Sequence, residues 1–245
     1  MASDRQNRLA IVQFGRLLHE NNFVAATDGN LSVRLDEERL LVTPTCISKG
    51  RMRASDMVIV DMDGKRLAGR RRVSSEIGMH LLIYRLRPDV HGIVHAHPPT
   101  ATGFAASGYD LTRPLVCEVV VGLGSIPLAR YGTPGTPELA DALEPLIPHH
   151  DAILMANHGV VTFGSSLESA YMKMETVEHF AKIALVTHLL GNAQPLGEKE
   201  VEKLHEVRHR YNRGETSAPP RRPVGRDDLQ SDDEPQETAG TRRSL

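Results

Sequence analysis

The sequence is poor in the residue types that mark disulfide-rich and membrane-spanning proteins. Among its 245 residues it has no tryptophan and two cysteines. Cys46 and Cys117 form no CxxC motif and no disulfide framework, and the simplest interpretation of each is a small buried residue. No run of about 18 apolar residues occurs, so we expect no transmembrane helix. The charged start at residues 1–6 leads to no apolar signal segment, and we therefore expect a cytoplasmic protein.

The sequence also has no large excess of positive or negative charge. The formal net charge is −2 at pH 7, which gives no sign of a nucleic-acid or acidic-membrane partner. Hydrophobic residues make up 40% of the chain, enough for a sizeable core. After Gly214 the composition shifts to proline, arginine and acidic residues among small polar ones. We predict a folded domain at residues 1–213 and a disordered tail at residues 214–245. A partner-binding tail is the alternative, but the mixed charge favours a solvated one.

Hydrophobic periodicity predicts a mixture of helices and short strands. Helices are predicted at an amphipathic segment around 10–18, after Ser75 and ending near Pro88, from Thr136-Pro137-Glu138, and over 166–190 with a stop at Gly191. Strands are predicted at 31–35, 40–42, 57–61, 91–97, 116–121, 126–130 and 152–155. This mixture predicts an α/β sandwich with a largely antiparallel sheet.

Three histidines and one glutamate are the most informative side chains. His95 and His97 stand at i and i+2 of a predicted strand, where side chains point to the same face. A third imidazole from a distant loop, His158, would complete a three-histidine site of the kind that holds catalytic Zn²⁺ with one position open. A nearby carboxylate, Glu76, can then serve as ligand, as base, or as both. Because the chain has 12 histidines, an H-x-H pair alone is a weak signal.

A second group of residues has the features of an anion site. Gly29 lets the backbone approach an anion closely, and Asn30 adds a side-chain donor. Ser74 and Ser75 precede a segment with apolar residues at helical spacing, and serines at a helix start offer hydroxyls beside free backbone N–H groups. An ordinary N-cap is the alternative for the two serines. Beside Glu76 and the histidines, we favour a phosphate site.

Ordered sequence blocks carry a resemblance to a known family. The blocks are residues 27–34 (TDGNLSVR), 42–45 (VTPT), 74–76 (SSE), 87–90 (RPDV) followed by 95–97 (HAH), 125–127 (SIP) and 157–159 (NHG). With them, the chain resembles the class II aldolase/adducin family from about Leu9 to Tyr211. The resemblance implies a three-layer αβα sandwich with a largely antiparallel central sheet.

The resemblance also implies a set of functional residues and partners. One Zn²⁺, or another divalent ion such as Mn²⁺, would be held by His95, His97 and His158, while Glu76 binds the metal at rest and transfers protons. The implied phosphate ligands are Gly29, Asn30, Thr45, Ser74 and Ser75. The implied partners are a small phosphorylated sugar and further copies of the chain in a homo-oligomer, most simply a tetramer with the active site at a subunit boundary.

Two positions depart from the family. Where the family has glycine after its Thr-Pro-Thr block, this chain has Cys46, which could keep a backbone contact to phosphate unless the loop needs a positive φ. The family's tyrosine proton donor from the neighbouring subunit falls at Val116. Tyr211 matches the family's other late tyrosine and is our second predicted catalytic residue beside Glu76. The nearest replacement donor in sequence is Glu118, although a solvent-facing or ion-paired glutamate is the simpler interpretation.

The function implied is a metal-dependent aldolase that cleaves a sugar 1-phosphate to dihydroxyacetone phosphate and an aldehyde. Retro-aldol cleavage takes a proton from a hydroxyl and needs a Lewis acid to spread the charge of the developing enediolate. A metal-dependent dehydratase, epimerase or decarboxylase on the same fold is the alternative. The Ser-Ser-Glu block favours an aldolase or a dehydratase over the family's epimerase, which carries aspartate there. A non-catalytic assembly module is a third possibility, against which the three histidines argue.

Overall fold

The computed structural model describes residues 3–212. The strands are β1 Asn30–Arg34, β2 Arg39–Val42, β3 Val58–Asp61, β4 Arg66–Ala68, β5 Gly92–Ala96, β6 Leu128–Ala129, β7 Ala152–Met155 and β8 Gly159–Gly164. The α-helices are α1 Asp4–Glu20, α2 Ile77–Leu86, α3 Pro99–Ala106, α4 Cys117–Gly122, α5 Pro137–Leu143, α6 Leu167–Leu190 and α7 Glu198–Asn212. The tail predicted at residues 214–245 lies outside the described residues. Among the helices described, none is long and apolar enough to cross a membrane.

All eight strands form one sheet in the order β4-β3-β2-β1-β5-β8-β7-β6. Neighbouring strands pair antiparallel except β6 and β7, which run parallel. The prediction of a largely antiparallel sheet is therefore confirmed. β5 lies at the centre, between β1 and β8, so both faces and both edges of this strand are covered by protein.

Helices cover both faces of the sheet, which gives the expected three layers. Alternate residues of a strand face opposite sides, and two buried apolar clusters form accordingly. One cluster joins Val94 of β5 to side chains of α1, α3 and α6. The other joins Ile93 of β5 to side chains of α2 and α5. His95 has the same parity as Ile93 and therefore faces the layer that contains α2.

The segment at residues 116–121 is a correction to the predicted strands, because it forms helix α4. Val120 N donates to Val116 O and Leu123 N to Val119 O, the i to i−4 pattern of a helix. Val119 and Val120 are both buried, and adjacent residues share a buried side on a helix but not on a strand. The strand predicted at 126–130 shortens to the two residues of β6. The sequence patterns also missed α3, β4 and β8.

Candidate metal centre

Three parts of the fold carry the predicted metal-binding residues. His95 lies on β5 and is fully buried, and His97 follows directly after the strand ends. His158 lies in the turn between β7 and β8, where the preceding Asn157 adopts a positive φ of 55°. Glu76 stands at the N-terminal end of α2. The antiparallel pairing of β5 with β8 brings the turn beside the histidine pair.

The three histidine side chains converge, and Glu76 lies beside two of them. His95 Nε2 lies 3.1 Å from His97 Nε2. Glu76 places Oε1 3.0 Å from His158 Nε2 and Oε2 3.4 Å from His95 Nε2. The three histidines each offer a ligand atom, and these atoms all lie within 4.8 Å of one another. The structure therefore brings together all the residues for which the sequence predicted metal contacts.

The hydrogen bond of His95 fixes which ring nitrogen faces the centre. Its Nδ1 lies 2.9 Å from the carbonyl oxygen of Val160. A carbonyl only accepts, so Nδ1 carries the hydrogen and Nε2 presents a lone pair. Burial lowers the pKa of His95 to about 3 and also lowers the pKa of His97. Both rings are therefore neutral at neutral pH, which is the form that binds a metal ion.

Glu76 is held as a carboxylate. Burial raises the pKa of its carboxyl, but the His95 and His158 rings and the Asn30 amide outweigh burial, so the net effect is a lowered pKa. Burial keeps His95 neutral, so a positive charge on that ring is not needed to lower the pKa of Glu76. The Asn30 amide lowers this pKa whether or not a neighbouring ring is protonated. Asn30 Nδ2 donates to Glu76 Oε2 at 2.7 Å.

The donor set fits a divalent cation. Glu76 Oε1 is buried and accepts no hydrogen bond from the described residues. An ionised oxygen in that state is costly unless a positive charge compensates it. Imidazole nitrogens of three histidines lie close together beside it, and histidine and carboxylate side chains are common ligands of zinc.

Two glycines permit the close approach of the segments around the centre. A Cβ on Gly159 would lie 2.5 Å from His97 Cδ2 and 2.6 Å from Ala96 O. Gly29 has a φ of +71°, and its Cβ would lie 2.7 Å from His95 O. The Asn-His-Gly and Asp-Gly-Asn blocks therefore need glycine because the centre is closely packed.

The residues predicted to bind phosphate lie on neighbouring segments. Asn30 is the first residue of β1 and pairs with His95 in the sheet. Pro44 forms an isolated bridge with Val73, so the segment that carries Thr45 runs beside the one that leads to Ser74. Thr45 N donates to Arg72 O at 3.1 Å in the same pairing.

The two serines do not act as ordinary helix caps. The N-cap position of α2 is Glu76, and no side chain forms a capping hydrogen bond there. Ser74 Oγ instead accepts from the backbone N–H of Glu76 at 3.3 Å. Ser75 lies between Ser74 and the N-cap residue Glu76, two residues before the first residue of the helix.

Cys46 occupies a position that favours glycine. Its φ is +57°, in the left-handed region. It is also exposed, as is Cys117, so the expectation of two small buried cysteines is wrong. The loop after the Thr-Pro-Thr block therefore needs the positive φ that the family's glycine would adopt readily.

Lys49 is a residue near this loop that sequence reasoning missed. It is 2% exposed, and its Nζ donates to Thr27 O at 2.8 Å and to Ile47 O at 2.9 Å. The ammonium group thus joins the loop before Asn30 to the loop after Thr45. Burial lowers the pKa of Lys49 to about 8. Its place four residues after the Thr-Pro-Thr block was the available signal.

His80 was also missed. It is 2% exposed on α2, and its Nε2 contacts Asn30 Oδ1. Since it stands four residues after Glu76, the two lie on one face of the segment that opens α2. That spacing was visible in the sequence, but the partner on β1 was not.

One candidate proton donor, Glu118, lies on α4. Glu118 is exposed in the first turn of α4 and accepts from Cys117 Sγ at 3.3 Å. With Val116 it lines a surface groove against α6, whose other lining residues are Val119, Glu175, Thr176, His179 and Ile183. Tyr211 lies in α7, and its side chain is outside what is described.

The fold and this convergence of histidines define a class of protein. Residues 9–185 match the profile of the Class II Aldolase and Adducin N-terminal domain, so the chain belongs to that family. The resemblance in the sequence blocks is thereby confirmed.

Relatives with different activities are similar to the chain. The 5-deoxy-D-ribulose 1-phosphate aldolase of Bacillus thuringiensis serovar kurstaki is 33% identical over 202 residues, covering 82% of this chain and 94% of the relative. The 3-oxo-tetronate 4-phosphate decarboxylase of Haemophilus influenzae is 35% identical over 185 residues, covering 74% and 88%. A solved L-fuculose 1-phosphate aldolase superposes with a TM-score of 0.78 at 32% identity, covering 84% of this chain and 97% of that one.

Proposed function

We propose that this protein is a metal-dependent aldolase that cleaves a phosphorylated ketose, a sugar 1-phosphate, to dihydroxyacetone phosphate and an aldehyde. The observation that carries the proposal is the convergence of three histidine ring nitrogens, two of which lie within 3.4 Å of the Glu76 carboxylate, with Glu76 Oε1 buried and lacking a hydrogen bond among the described residues. The aldolase names of similar proteins support the reaction class. We assign the catalytic domain to residues 1–213.

The proposed metal ligands are His95, His97 and His158, with Glu76 as the fourth. When bound, Zn²⁺ or another divalent ion supplies a Lewis acid that spreads negative charge on a substrate oxygen. Neutral nitrogen ligands keep the positive charge of the ion high, which suits that purpose. The Val160 carbonyl keeps the His95 ring in the tautomer that presents Nε2.

Glu76 is proposed to move the proton. In cleavage, the hydroxyl group next to the bond that breaks gives its proton to a second group, which donates to the aldehyde oxygen in the reverse reaction, and the hydroxyl oxygen becomes the carbonyl oxygen of the departing aldehyde. The electron pair of the broken C–C bond stays on the ketose 1-phosphate fragment. Glu76 donates a proton to the carbon of that fragment, and dihydroxyacetone phosphate results. The proton taken from the hydroxyl passes through water to Glu76, so the protons balance and no oxidant or reductant is needed.

The phosphate group is proposed to lie against Gly29, Asn30, Thr45, Ser74 and Ser75. The supporting observation is that the bridge between Pro44 and Val73 holds two of these segments side by side. Backbone N–H groups and hydroxyls in such a cluster bind anions. Lys49 adds a positive charge between the loop before Asn30 and the loop after Thr45. This charge favours the binding of a phosphate dianion nearby.

Decarboxylation of a phosphorylated keto acid is the second candidate. The decarboxylase relative is as similar to this chain as the aldolase relative, at 35% against 33% identity. Val116 stands where the family's aldolases carry a tyrosine donor to the aldehyde, and a decarboxylase releases carbon dioxide without protonating an aldehyde oxygen. In both reactions a bound Lewis acid would stabilise the carbanion, and Glu76 would return a proton to its carbon.

Metal analysis followed by a substrate panel tests the proposal. The purified protein should contain about one divalent ion per chain, and a panel of ketose 1-phosphates should give dihydroxyacetone phosphate with at least one member. Release of carbon dioxide from 3-oxo-tetronate 4-phosphate, with no dihydroxyacetone phosphate from any sugar, would replace the aldolase with the decarboxylase.

A matched pair of variants checks the ligands. The double variant His95→Ala, His97→Ala should lose the bound ion and the activity. His91→Ala, which removes an exposed histidine just before β5, should keep both. Stoichiometric metal in the double variant would contradict the ligand assignment.

A further inference from the structure

A buried chain of hydrogen bonds runs from Tyr84 to Glu76. Tyr84 Oη lies 2.9 Å from Ser32 Oγ, and Ser32 Oγ lies 2.6 Å from His80 Nδ1. His80 Nε2 contacts Asn30 Oδ1, and Asn30 Nδ2 lies 2.7 Å from Glu76 Oε2. The four residues that lead to Glu76 in this series of hydrogen bonds are between 0% and 4% exposed. Two come from β1 and two from α2, so the chain spans the gap between sheet and helix.

The direction of each hydrogen bond follows from counting protons. The amide oxygen of Asn30 only accepts, so His80 Nε2 carries a hydrogen. The buried ring is neutral, because burial lowers the pKa of His80 to about 4, so His80 Nδ1 carries a lone pair and accepts from Ser32 Oγ–H. Ser32 has then used its one proton and accepts from Tyr84 Oη–H. Every donor therefore points along the chain towards Glu76.

The opposite orientation of the Asn30 amide is unfavourable for two reasons. Its oxygen would face the ionised Glu76 oxygen at 2.7 Å, which places two acceptors together. Its NH₂ group would face His80 Nε2, and this would force the ring into the other tautomer. The hydrogen of His80 thus selects the orientation in which Asn30 donates to Glu76.

We propose that His80 is a positioning residue that, as the Nε2–H tautomer, orients the Asn30 amide so that it donates to the catalytic carboxylate of Glu76. This inference rests on the proposed function, because it assigns His80 a part in the work of Glu76. The His80 ring contacts Ser32 through Nδ1 and Asn30 through Nε2. Its effect passes through Asn30, and the alternating donors and acceptors of the chain strengthen one another in the low dielectric of the interior.

Two substitutions at His80 separate positioning from simple packing. In His80→Gln the side-chain amide nitrogen reaches the place of Nε2 and can still donate to Asn30. In His80→Asn the shorter amide reaches only the place of Nδ1, so it can bond to Ser32 but not to Asn30. We expect His80→Asn to lower kcat by about 10- to 100-fold, the usual effect of removing an outer partner of a catalytic group. His80→Gln should recover most of that loss, with equal metal content in both variants.

If His80→Asn does not fold, Tyr84→Phe provides a second test of the proposal. It removes the donor at the far end of the chain and keeps the ring that packs in the core. Its kcat should fall less than that of His80→Asn, because the amide of Asn30 keeps its partner. Equal losses in His80→Gln and His80→Asn, with melting temperatures lowered equally, would reduce His80 to a packing residue and overturn the proposal.

The tautomer provides a test that does not depend on activity. Long-range ¹⁵N–¹H spectra of the metal-loaded wild-type protein should show His80 Nε2 as protonated and Nδ1 as unprotonated, with the signals assigned by their loss in His80→Gln. The reverse tautomer would overturn the proposal even in an active aldolase. If the expected tautomer occurs and no aldolase substrate is found, the orientation of Asn30 stands and the proposed function fails alone.

Discussion

At the scale of single residues, burial keeps His95 and His97 neutral while Glu76 stays ionised. His95 is fully buried and loses its proton readily, whereas Glu76 is held in its charged form by its neighbours. A neutral ligand beside an ionised base is the combination that proton transfer at a metal requires. The bond from Asn30 to Glu76 matters here because it stabilises the carboxylate without occupying a ring nitrogen.

The first prediction concerns Glu76. Replacing Glu76 with Gln keeps the shape and the acceptor for Asn30 but removes the group that gains and loses a proton. We expect kcat to fall by about two to four orders of magnitude while the protein still binds its metal ion. Rates and metal content of Glu76→Gln should be compared with those of Glu144→Gln, an exposed glutamate after α5. Near-normal turnover in Glu76→Gln would remove Glu76 from the mechanism.

The second prediction concerns Cys46. A non-glycine residue in the left-handed region costs about 1–2 kcal/mol, part of which is offset by the greater freedom of glycine in the unfolded chain. With φ at +57°, Cys46→Gly should therefore raise the free energy of unfolding by about 0.5–1 kcal/mol. Chemical denaturation measures this, with Cys46→Ala as the control that loses the thiol and keeps the strain. A Cys46→Gly protein no more stable than Cys46→Ala would show that the loop adapts to either residue.

At the scale of helices and strands, parity along a strand predicted that His95 and His97 meet. The i, i+2 spacing of His95 and His97 was enough to place both ring nitrogens at one point. Sequence could not predict the bond from His80 to Asn30, because the two residues are 50 positions apart and meet only through the packing of α2 on β1.

Local β-strand propensity predicted the wrong element at helix α4, where tertiary packing favours a helix. The run Val119–Val121 favours a strand by its β-branched residues. In the fold, α7 packs against α4, and Val119 and Val120 are buried together on a helical face. The tertiary contact therefore overrides the local propensity, and nothing within the valine run signals it.

The third prediction concerns a contact between helices α3 and α6. Glu178 of α6 is 2% exposed and accepts from the backbone N–H groups of Thr100, at 3.1 and 3.2 Å, and Ala101, at 3.0 Å. A carboxylate at the start of a helix satisfies free donors and interacts well with the helix dipole. Because α3 begins two residues after His97, Glu178 also anchors the segment that carries this ligand.

Glu178→Gln should therefore weaken both the fold and the metal site. Replacing the carboxylate by an amide removes charge-assisted hydrogen bonds and leaves buried donors poorly paired, at a cost of about 1–3 kcal/mol. Thermal unfolding and metal titration should both register the change, whereas Glu168→Gln, exposed in the first turn of the same helix, should change neither by much. Unaltered metal affinity in Glu178→Gln would limit Glu178 to a role in stability.

At the scale of the whole molecule, one chain supplies the proposed metal ligands and base, but the described residues place no tyrosine beside them. The sequence resemblance predicts the family's tyrosine position at Val116, and Glu118 lies in the exposed groove between α4 and α6. A proton donor to the aldehyde is then most readily supplied by a neighbouring subunit. Closed homo-oligomers are a common arrangement for soluble enzymes and place one subunit's surface against another's site.

The fourth prediction is that the protein is a homo-oligomer, most simply a tetramer, whose active sites use residues of two subunits. Tyr211 is the predicted second-subunit donor, so Tyr211→Phe should slow the step that involves the aldehyde while proton exchange of dihydroxyacetone phosphate survives. Glu118→Gln, compared under single-turnover conditions, should affect neither step if Tyr211 is the donor. Light scattering should give a mass several times that of one 27.0 kDa chain.

Mixing two impaired variants tests whether the site is shared. If Glu76 and Tyr211 act from different subunits, assembly of Glu76→Gln chains with Tyr211→Phe chains rebuilds sites that contain both native residues. Random mixing in equal amounts would restore about a quarter of the sites, since each residue must come independently from the right partner. If both residues act within one chain, no mixed assembly contains an intact site and no activity returns. A fully active monomer at micromolar concentration would contradict both the assembly and the shared site, and the proton donor would then have to be water or a group of the same chain.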